Sequence, residues 1–416
     1  MSRAMAITVA VLVTVALGCS NEDDSPTEPA PAPAVATADP AATLAFRQVS
    51  AGGSHSCGVT SDDKAYCWGD GGQGELGNGT QYGPEICGDG DYGCSSRPVQ
   101  VLGGVRFQNV SAGSYFTCGV ATDSQAWCWG ANFNGELGDG TKTRQLKPAA
   151  VKGGHVFRQV SAGDYHTCGL TTDNRIYCWG YNGNGELGDG TRTARLAPKL
   201  VAGDHTWRLV SAGSEHTCAL TTDNQAYCWG LNAEGQLGDG TTEERRLVPV
   251  QVAGGRTFRQ LSAGAYHTCA VTVGSQGFCW GMGAQGQLGN GGTARARSPK
   301  AVAGGLALER ISGGSFFTCA ETTGSKTYCW GLNSEGQLGI GTLSGPDTCS
   351  LGPCSTHPLA VTGGLSFAQV DAGGRHVCAR TVANLAYCWG DSFYGQTGTG
   401  AIYSDEQAPR EVLGPI

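Results

Sequence analysis

Charged side chains are scarce in this chain, and the basic ones are dispersed. Lys and Arg number 27 against 35 Asp and Glu, which gives a formal net charge of -8 over 416 residues. Binding to DNA or RNA depends on clustered positive charge that neutralises phosphates. The composition therefore argues against nucleic acid as a partner.

The common catalytic motifs are also missing. The chain has no Gly-x-Ser-x-Gly elbow, no phosphate-binding loop and no helical metalloprotease signature. We predict no catalytic residue, no cofactor and no metal site, so the chain is expected to bind rather than to catalyse.

Long hydrophobic runs are absent except at the start. Arg3 precedes an apolar run from Met5 to Gly18, which is too short to span a bilayer as a mature helix and is typical of an export signal. Ala16 to Cys19 resembles the bacterial lipobox, which predicts a lipoprotein signal peptide over residues 1–18 and a lipid anchor on Cys19. A plain secretory signal followed by an unrelated cysteine is the alternative.

Residues 19–45 have the composition of a lipid-anchored, disordered spacer rich in Pro, Ala and Asp. Ser20, rather than aspartate, after the lipobox cysteine favours the outer membrane in a Gram-negative host. The expected location is therefore the bacterial cell envelope, outside the cytoplasm, with membrane contact through the lipid anchor.

Glycine and cysteine, by contrast, are abundant, with 68 and 19 residues. Cys-Trp-Gly recurs seven times, with its cysteine at Cys67, Cys128, Cys178, Cys228, Cys279, Cys329 and Cys388. Each repeat has short apolar strands between glycine-rich turns and no sustained helical periodicity. A repeat of this length suits one four-stranded blade, so residues 46–416 are predicted to be an all-β, seven-bladed β-propeller.

The two ends of the propeller suggest how the ring closes. The first repeat starts at Phe46 without a preceding proline-containing strand, whereas the last repeat ends on such a strand at Pro409 to Val412. We therefore expect N- and C-terminal strands to close the ring within one blade, which would remove two exposed sheet edges.

A second cysteine precedes each Cys-Trp-Gly cysteine by ten residues, at Cys57, Cys118, Cys168, Cys218, Cys269, Cys319 and Cys378. If the residues between are a hairpin, the two sulfurs of each repeat face one another at bonding distance. Two further pairs, Cys87 with Cys94 and Cys349 with Cys354, lie in insertions. Nine disulfides and an oxidising compartment are predicted; zinc is the alternative, but the usual fourfold ligand spacing is missing.

The pattern Ser-Ala-Gly-x-x-His followed by Trp-Gly-x-Asn-x-x-Gly-Gln-Leu-Gly resembles the RCC1 repeat, that of the regulator of chromosome condensation, over essentially all of residues 46–416. The resemblance implies a propeller whose loop faces hold other proteins. The family includes a nucleotide exchange factor for a small GTPase that docks on chromatin, and a secreted bacterial inhibitor of β-lactamases. The regular cysteine pairs depart from the general repeat and favour an exported member similar in architecture to that inhibitor.

Two variable positions per repeat are expected to converge on one end of the propeller. The first rim set follows Ser-Ala-Gly-x and comprises Ser54, Tyr115, Tyr165, Glu215, Tyr266, Phe316 and Arg375. The second rim set follows Trp-Gly and comprises Asp70, Ala131, Tyr181, Leu231, Met282, Leu332 and Asp391. Both sets apart from Ser54, Asp70, Ala131 and Asp391 form the predicted binding face, because Tyr, Met and Arg on a rigid rim are typical interface anchors. Packing of the aromatic side chains against neighbouring blades is the alternative.

Other recurring polar residues are assigned to the framework. His55, His166, His216, His267 and His376 share one repeat position, which Phe116 and Phe317 occupy in two repeats. A Glu or Gln recurs before Leu-Gly, as at Glu136 and Gln236. A catalytic carboxylate is not needed in several copies, so this position is assigned to the framework. Asp89 and Asp91 lie in one loop but lack the remaining ligands of a calcium motif, so a solvated loop is predicted.

Together these patterns predict a monomeric, membrane-anchored binding or scaffold protein that presents one loop face to a protein partner. A glycan is the alternative ligand, since aromatic rims also stack on sugars. An envelope enzyme, or guanine-nucleotide exchange by family analogy, is less favoured.

Overall fold

A computed structural model describes residues 44–87 and 92–416 of the chain. The predicted signal peptide, Cys19, most of the spacer, and Asp89 and Asp91 lie outside the described residues. Within the described ranges, no helix combines the length and the hydrophobicity needed to cross a bilayer.

Seven antiparallel sheets form the seven predicted blades, each from consecutive strands. Blade 1 contains β1 (Phe46–Ala51), β2 (His55–Thr60), β3 (Ala65–Asp70), β4 (Glu85–Cys87) and β5 (Tyr92–Gln100). Blade 2 contains β6 (Phe107–Ala112), β7 (Phe116–Ala121), β8 (Ala126–Gly130) and β9 (Gln145–Ala150). Blade 3 contains β10 (Phe157–Ala162), β11 (His166–Thr171), β12 (Ile176–Gly180) and β13 (Arg195–Leu200). Blade 4 contains β14 (Trp207–Ala212), β15 (His216–Thr221), β16 (Ala226–Leu231) and β17 (Arg245–Gln251).

Blade 5 contains β18 (Phe258–Ala263), β19 (His267–Thr272), β20 (Gly277–Gly281) and β21 (Ala296–Ala301), and a 3-10 turn at Ala303–Gly305 follows it. Blade 6 contains β22 (Leu308–Gly313), β23 (Phe317–Thr322), β24 (Thr327–Leu332), β25 (Asp347–Cys349) and β26 (Gly352–Ala360). Blade 7 contains β27 (Phe367–Ala372), β28 (His376–Thr381), β29 (Ala386–Asp391) and β30 (Asp405–Glu411). The seven-bladed all-β prediction is confirmed.

The predicted ring closure is wrong, because no blade mixes strands from the two ends of the propeller. Each proline-containing strand pairs with the Cys-Trp-Gly strand before it, as β30 pairs with β29 and β5 with β3. Blade 1 is therefore complete without a strand from the far end. The ring closes by side-by-side packing of blades 7 and 1, in which the Trp68 indole donates to the Gln396 carbonyl oxygen, 3.0 Å away.

The core lies between blades, where the seven Cys-Trp-Gly tryptophans are fully buried. Each indole N–H donates to a backbone carbonyl of the preceding blade, as Trp179 does to Glu136 at 2.8 Å. The acceptor is always the Glu or Gln that stands before Leu-Gly, or before Thr-Gly in blade 7. Glu136 and Gln236 thus belong to the framework.

All eighteen predicted cysteines in the described part of the chain form the nine predicted disulfides. In the seven hairpin pairs, such as Cys218 with Cys228, the two residues are direct cross-strand partners with Cα atoms 4.0 to 4.2 Å apart. The pairs Cys87–Cys94 and Cys349–Cys354 join the strands of the two inserted hairpins.

Each framework histidine holds its blade to the next. The His267 Nε2 lies 2.8 Å from the Thr318 hydroxyl, which itself donates to the Gln287 carbonyl, so the histidine Nε2–H is the donor. The other four histidines make the same bond to Thr117, Thr217, Thr268 and Ser56. Burial lowers the pKa of each imidazole, to about 4 in His267 and about 3 in the others, so all five are neutral.

Candidate protein-binding face

The loops that carry the two rim sets form one end of the propeller, here called the upper face. In every blade the backbone N–H of the second-set residue donates to the carbonyl of the first-set residue, over 2.8 to 3.1 Å. Tyr181 bonds to Tyr165 in this way, and Met282 bonds to Tyr266. The predicted convergence is confirmed, and the bond holds both backbones in a fixed relation.

The rim side chains differ in exposure. Tyr115 and Tyr165 are 45% and 40% exposed, and Arg375 is also exposed. The half-buried members are Tyr181, Glu215, Leu231, Tyr266, Met282 and Phe316. The rim therefore includes both free aromatic surface and packed aromatic surface.

Leu332 was predicted to belong to the binding face, but this prediction is wrong because the side chain is only 5% exposed. It pairs with Cys354 in the inserted hairpin of blade 6, which extends the sheet beside it. A leucine in that position packs within the blade and cannot anchor a partner.

One part of the upper face is an aromatic and acidic ridge over blades 3 to 6. The Tyr165 and Tyr181 rings meet edge to face with centroids 6.3 Å apart, and Tyr266 stacks on Phe316 at 5.3 Å. Burial raises the pKa of Glu215, and the nearby Asp164 carboxylate raises it further. This ridge offers phenol groups and carboxyl oxygens for polar contacts beside apolar rings.

A second part is a cavity of about 690 Å³ over blades 6, 7, 1 and 2, here called the seam recess. It brings together the predicted rim residues Ser54, Tyr115, Phe316, Arg375 and Asp391 with residues that were not predicted, namely Glu335, Phe393, Tyr394, Tyr403 and Asp405. The Phe393 ring meets Tyr394 and Tyr403 edge to face, with centroids 4.9 and 5.0 Å away.

The seam recess carries more negative than positive charge. Arg375 lies 3.5 Å from the Glu335 carboxylate and is its salt-bridge partner. Burial raises the pKa of Asp391, and the Glu335 carboxylate raises it further. Burial, Glu335 and Asp391 together raise the pKa of Asp405 to about 6. Three carboxyl groups thus share one guanidinium.

A metal centre is not built into the described residues. In residues 44–87 and 92–416, no group of three or more His, Cys, Asp or Glu side chains is arranged to hold a metal ion.

Comparison with known proteins identifies the repeat. The sequence pattern of the RCC1-like domain matches residues 14–260, more than half of the chain, and that of the RCC1 repeat matches residues 277–320 and 326–380. The chain belongs to the RCC1-like domain family. A further RCC1 repeat pattern matches residues 367–396, which include part of the seam recess.

Curated relatives share only a fraction of this RCC1-like chain. The RCC1 domain-containing protein RUG3, mitochondrial, from Arabidopsis thaliana is 36% identical over 94 residues, 22% of this chain and 20% of the relative. The human probable E3 ubiquitin-protein ligase HERC6 is 31% identical over 98 residues, 24% of this chain and 9% of the relative. The chain therefore matches a fifth or less of either relative's length.

Among solved structures, Prp20p from Saccharomyces cerevisiae has the same fold. It superposes with a TM-score of 0.74 at 22% identity, covering 85% of this chain and 87% of that one, and it has binding properties to Gsp1p and histones. RCC1-like propellers are thus known to bind proteins. The relatives named here are eukaryotic, so a bacterial lipoprotein origin and a likeness to the β-lactamase inhibitor stay predictions.

The unpredicted recess residues come from positions outside the two rim sets, namely the two variable positions after the asparagine position of the Trp-Gly motif and the residues leading into the last strand. Phe393 and Tyr394 stand two and three residues after Asp391, where the equivalent loop of blade 6 has Ser334 and Glu335. Two adjacent aromatic residues at these positions, where the other six blades have a single aromatic residue, Phe133, were the available signal.

Proposed function

We propose that this RCC1-like propeller is a binding protein that holds a protein partner on its upper face and catalyses no reaction. The observation that carries the proposal is the placement of exposed Tyr115 and Tyr165 on loops whose backbones are bonded together in every blade. Aromatic side chains on a rigid base lose little conformational entropy when they bind, which is why they dominate interface energies.

The test is capture of envelope proteins by the full chain, followed by identification and purification of the partner. The variant Tyr115→Ala/Tyr165→Ala/Tyr266→Ala is expected to weaken the purified interaction at least tenfold. The matched control removes three exposed apolar side chains at the opposite end, Val156→Ala/Val273→Ala/Val382→Ala, and should bind normally. Equal binding by all three proteins would contradict the proposed face.

A glycan is the alternative ligand for the same aromatic side chains. A glycan array separates the two ligand classes: saturable binding to a sugar, lost in the upper-face triple variant, would replace the protein partner. The ligase activity named for the human relative belongs to a protein of which the matched region is 9%. It gives no reason to propose an enzyme here.

We further propose that the protein works outside the cytoplasm, held to the membrane by a lipid on Cys19 and monomeric. Nine disulfides support an oxidising compartment, because thiols stay reduced in the cytosol. Metabolic labelling with palmitate should mark the native chain, and Cys19→Ala should abolish the label and release the protein from membranes. A label that persists in Cys19→Ala would refute the anchor.

A further inference from the structure

The seam recess differs from the equivalent sites elsewhere in the ring at one strand position. Asp405 pairs with Asp391 in blade 7, just before the residue that pairs with the Trp-Gly glycine. The residue at the same place is Arg144 in blade 2, Arg245 in blade 4 and Arg295 in blade 5. It is Ala194 in blade 3, and it is a disulfide-bonded cysteine in blades 1 and 6. Three of the six other blades thus have a guanidinium at this position, and blade 7 has a carboxyl group.

Two of these arginines bond to the loop of the preceding blade. The Arg295 guanidinium donates to the Ala233 carbonyl at 3.0 Å and lies 3.7 Å from the Glu234 carboxylate. Arg144 makes the equivalent bonds to the Gly72 carbonyl and the Gln73 side chain. An arginine on one blade thus contacts the fifth residue after the preceding blade's tryptophan.

Between blades 6 and 7 the arginine of this contact is replaced by a carboxyl group. Glu335 is the fifth residue after Trp330, so it corresponds to Glu234. It lies close enough to Asp405 for the two carboxyl groups to repel, and this repulsion contributes to the raised pKa of Asp405. Arg375 pairs with Glu335, and its side chain is largely exposed. Its charge also lowers the pKa of Asp391. Within the part of the chain that the structure describes, neither Asp391 nor Asp405 forms a salt bridge of its own.

The recess also has the space and the walls that a guanidinium needs. Its volume is about 690 Å³, and Phe393 and Tyr115 on its lining are exposed. Arginine stacks on aromatic faces while its N–H groups bond to carboxylates, so rings beside three acids suit it in particular.

We infer that the seam recess receives an arginine side chain of the protein partner, which takes the place held by Arg295 between blades 4 and 5. This inference rests on the proposed function, since it names the chemistry of one contact on the upper face. The partner arginine would bond to Asp405 and Asp391 and lie against Phe393.

The test uses the full chain and the peptide acetyl-Gly-Arg-Gly-amide, with acetyl-Gly-citrulline-Gly-amide as the neutral isostere. Titration is followed by NMR of the amides of residues 391–405 at pH 7.5 in low salt. We expect saturable shifts with the arginine peptide and at least tenfold weaker binding of the citrulline peptide. Equal binding of both peptides, or no binding of either, would overturn the inference.

Variants place the binding in the recess. Asp405→Asn is expected to weaken the arginine peptide at least tenfold, whereas Asp223→Asn, which removes the same charge from an exposed turn at the opposite end, should leave it unchanged. Asp405→Arg restores the residue type of blade 5 and should abolish peptide binding while raising the melting temperature. Peptide binding that survives Asp405→Arg would place the arginine elsewhere.

Failure of this inference can be told from failure of the proposed function. If neither peptide binds but the purified partner still depends on Tyr115, Tyr165 and Tyr266, only the arginine contact is wrong. If the partner ignores those three tyrosines, the upper face itself is wrong.

Discussion

Single residues that depart from the repeat have the largest consequences for stability. Glu321 is such a residue: its position is Val59, Val120, Leu170, Leu220 and Val271 in blades 1 to 5, all fully buried. Glu321 is only 4% exposed, and among the described residues its Oε1 has no hydrogen-bond partner. Burial of this carboxyl group in an apolar position between blades disfavours its charged form. The charges of Arg310 and Arg380 offset only part of this effect.

The pH dependence of unfolding should report this cost. Burial raises the pKa of Glu321 from 4.5 to about 7, so the folded chain holds a proton that the unfolded chain has lost. Its contribution to stability is therefore complete below pH 4.5 and declines by about 3 kcal/mol as pH rises to 7. Urea unfolding at pH 4.5, 6 and 7.5 should show this decline in the native chain relative to Glu321→Gln. Parallel pH profiles would contradict it.

The framework histidines act in the opposite direction. His267 is neutral when folded because burial lowers its pKa to about 4, whereas the unfolded chain takes up a proton near pH 6.5. Stability is lost as pH falls through this window, by about 3 kcal/mol for this one residue. His267→Phe, which copies Phe116 of blade 2, should reduce the loss between pH 6.5 and pH 4. If the native chain and His267→Phe lost stability equally between pH 6.5 and pH 4, folding would not lower the pKa of His267.

At the scale of the element, the cysteine hairpin is the feature that sequence reasoning predicted best. The ten-residue spacing specified which residues oppose each other, and Cys218 and Cys228 are indeed direct partners. One residue in each of these turns has a positive φ, as Asn224 does, which tight hairpins require. Such local geometry follows from spacing alone.

Removal of one hairpin disulfide should cost about 2 to 4 kcal/mol of unfolding free energy. The variant Cys218→Ala/Cys228→Ala loses a constraint on the unfolded chain and leaves space in the fully buried core between blades 4 and 5. Calorimetric unfolding measures the effect. The control Cys349→Ala/Cys354→Ala removes a shorter loop at the edge of blade 6 and should cost less; the reverse order would contradict the role of core burial.

The seam recess shows the limit of such reasoning. Tyr115 and Phe316 could be placed on the rim because their repeat positions are known. The recess also needs Tyr403, from the loop before the last strand, and Asp405, which begins that strand. Tyr403 has a φ of 56°, and among the described non-glycine residues it is the one positive value outside the cysteine hairpin turns. A conformation that bulky residues rarely adopt cannot be predicted from the repeat.

On the scale of the whole molecule, closure of the ring depends on contacts without a covalent link. Asp371 replaces the serine of the other repeats, and its Oδ2 accepts a hydrogen bond from the Ala51 backbone N–H across the seam. At the outer edge, Arg97 Nε donates to the Gly414 carbonyl at 3.0 Å. The proposed strand exchange failed because every repeat already contains its own outer strand.

Weakening this outer contact should loosen the seam before the rest of the ring. We expect Arg97→Ala to lower the unfolding free energy by about 1 kcal/mol and to speed hydrogen exchange in β5 and β30. Arg158→Ala removes a similar bond, to the Trp207 carbonyl, between two blades that the chain also joins covalently. The increase in hydrogen exchange in Arg158→Ala should stay close to the substituted residue. If hydrogen exchange increased over an equally large region in both variants, the seam would be no weaker than other interfaces between blades.

Complete blades also bear on how such a chain can change over generations. Because each sheet is drawn from one uninterrupted stretch, duplication or loss of a gene segment of that length adds or removes a whole blade together with its disulfide. No strand is left unpaired by such an event. The upper face can therefore be recomposed one blade at a time, with each new blade supplying its own pair of rim residues.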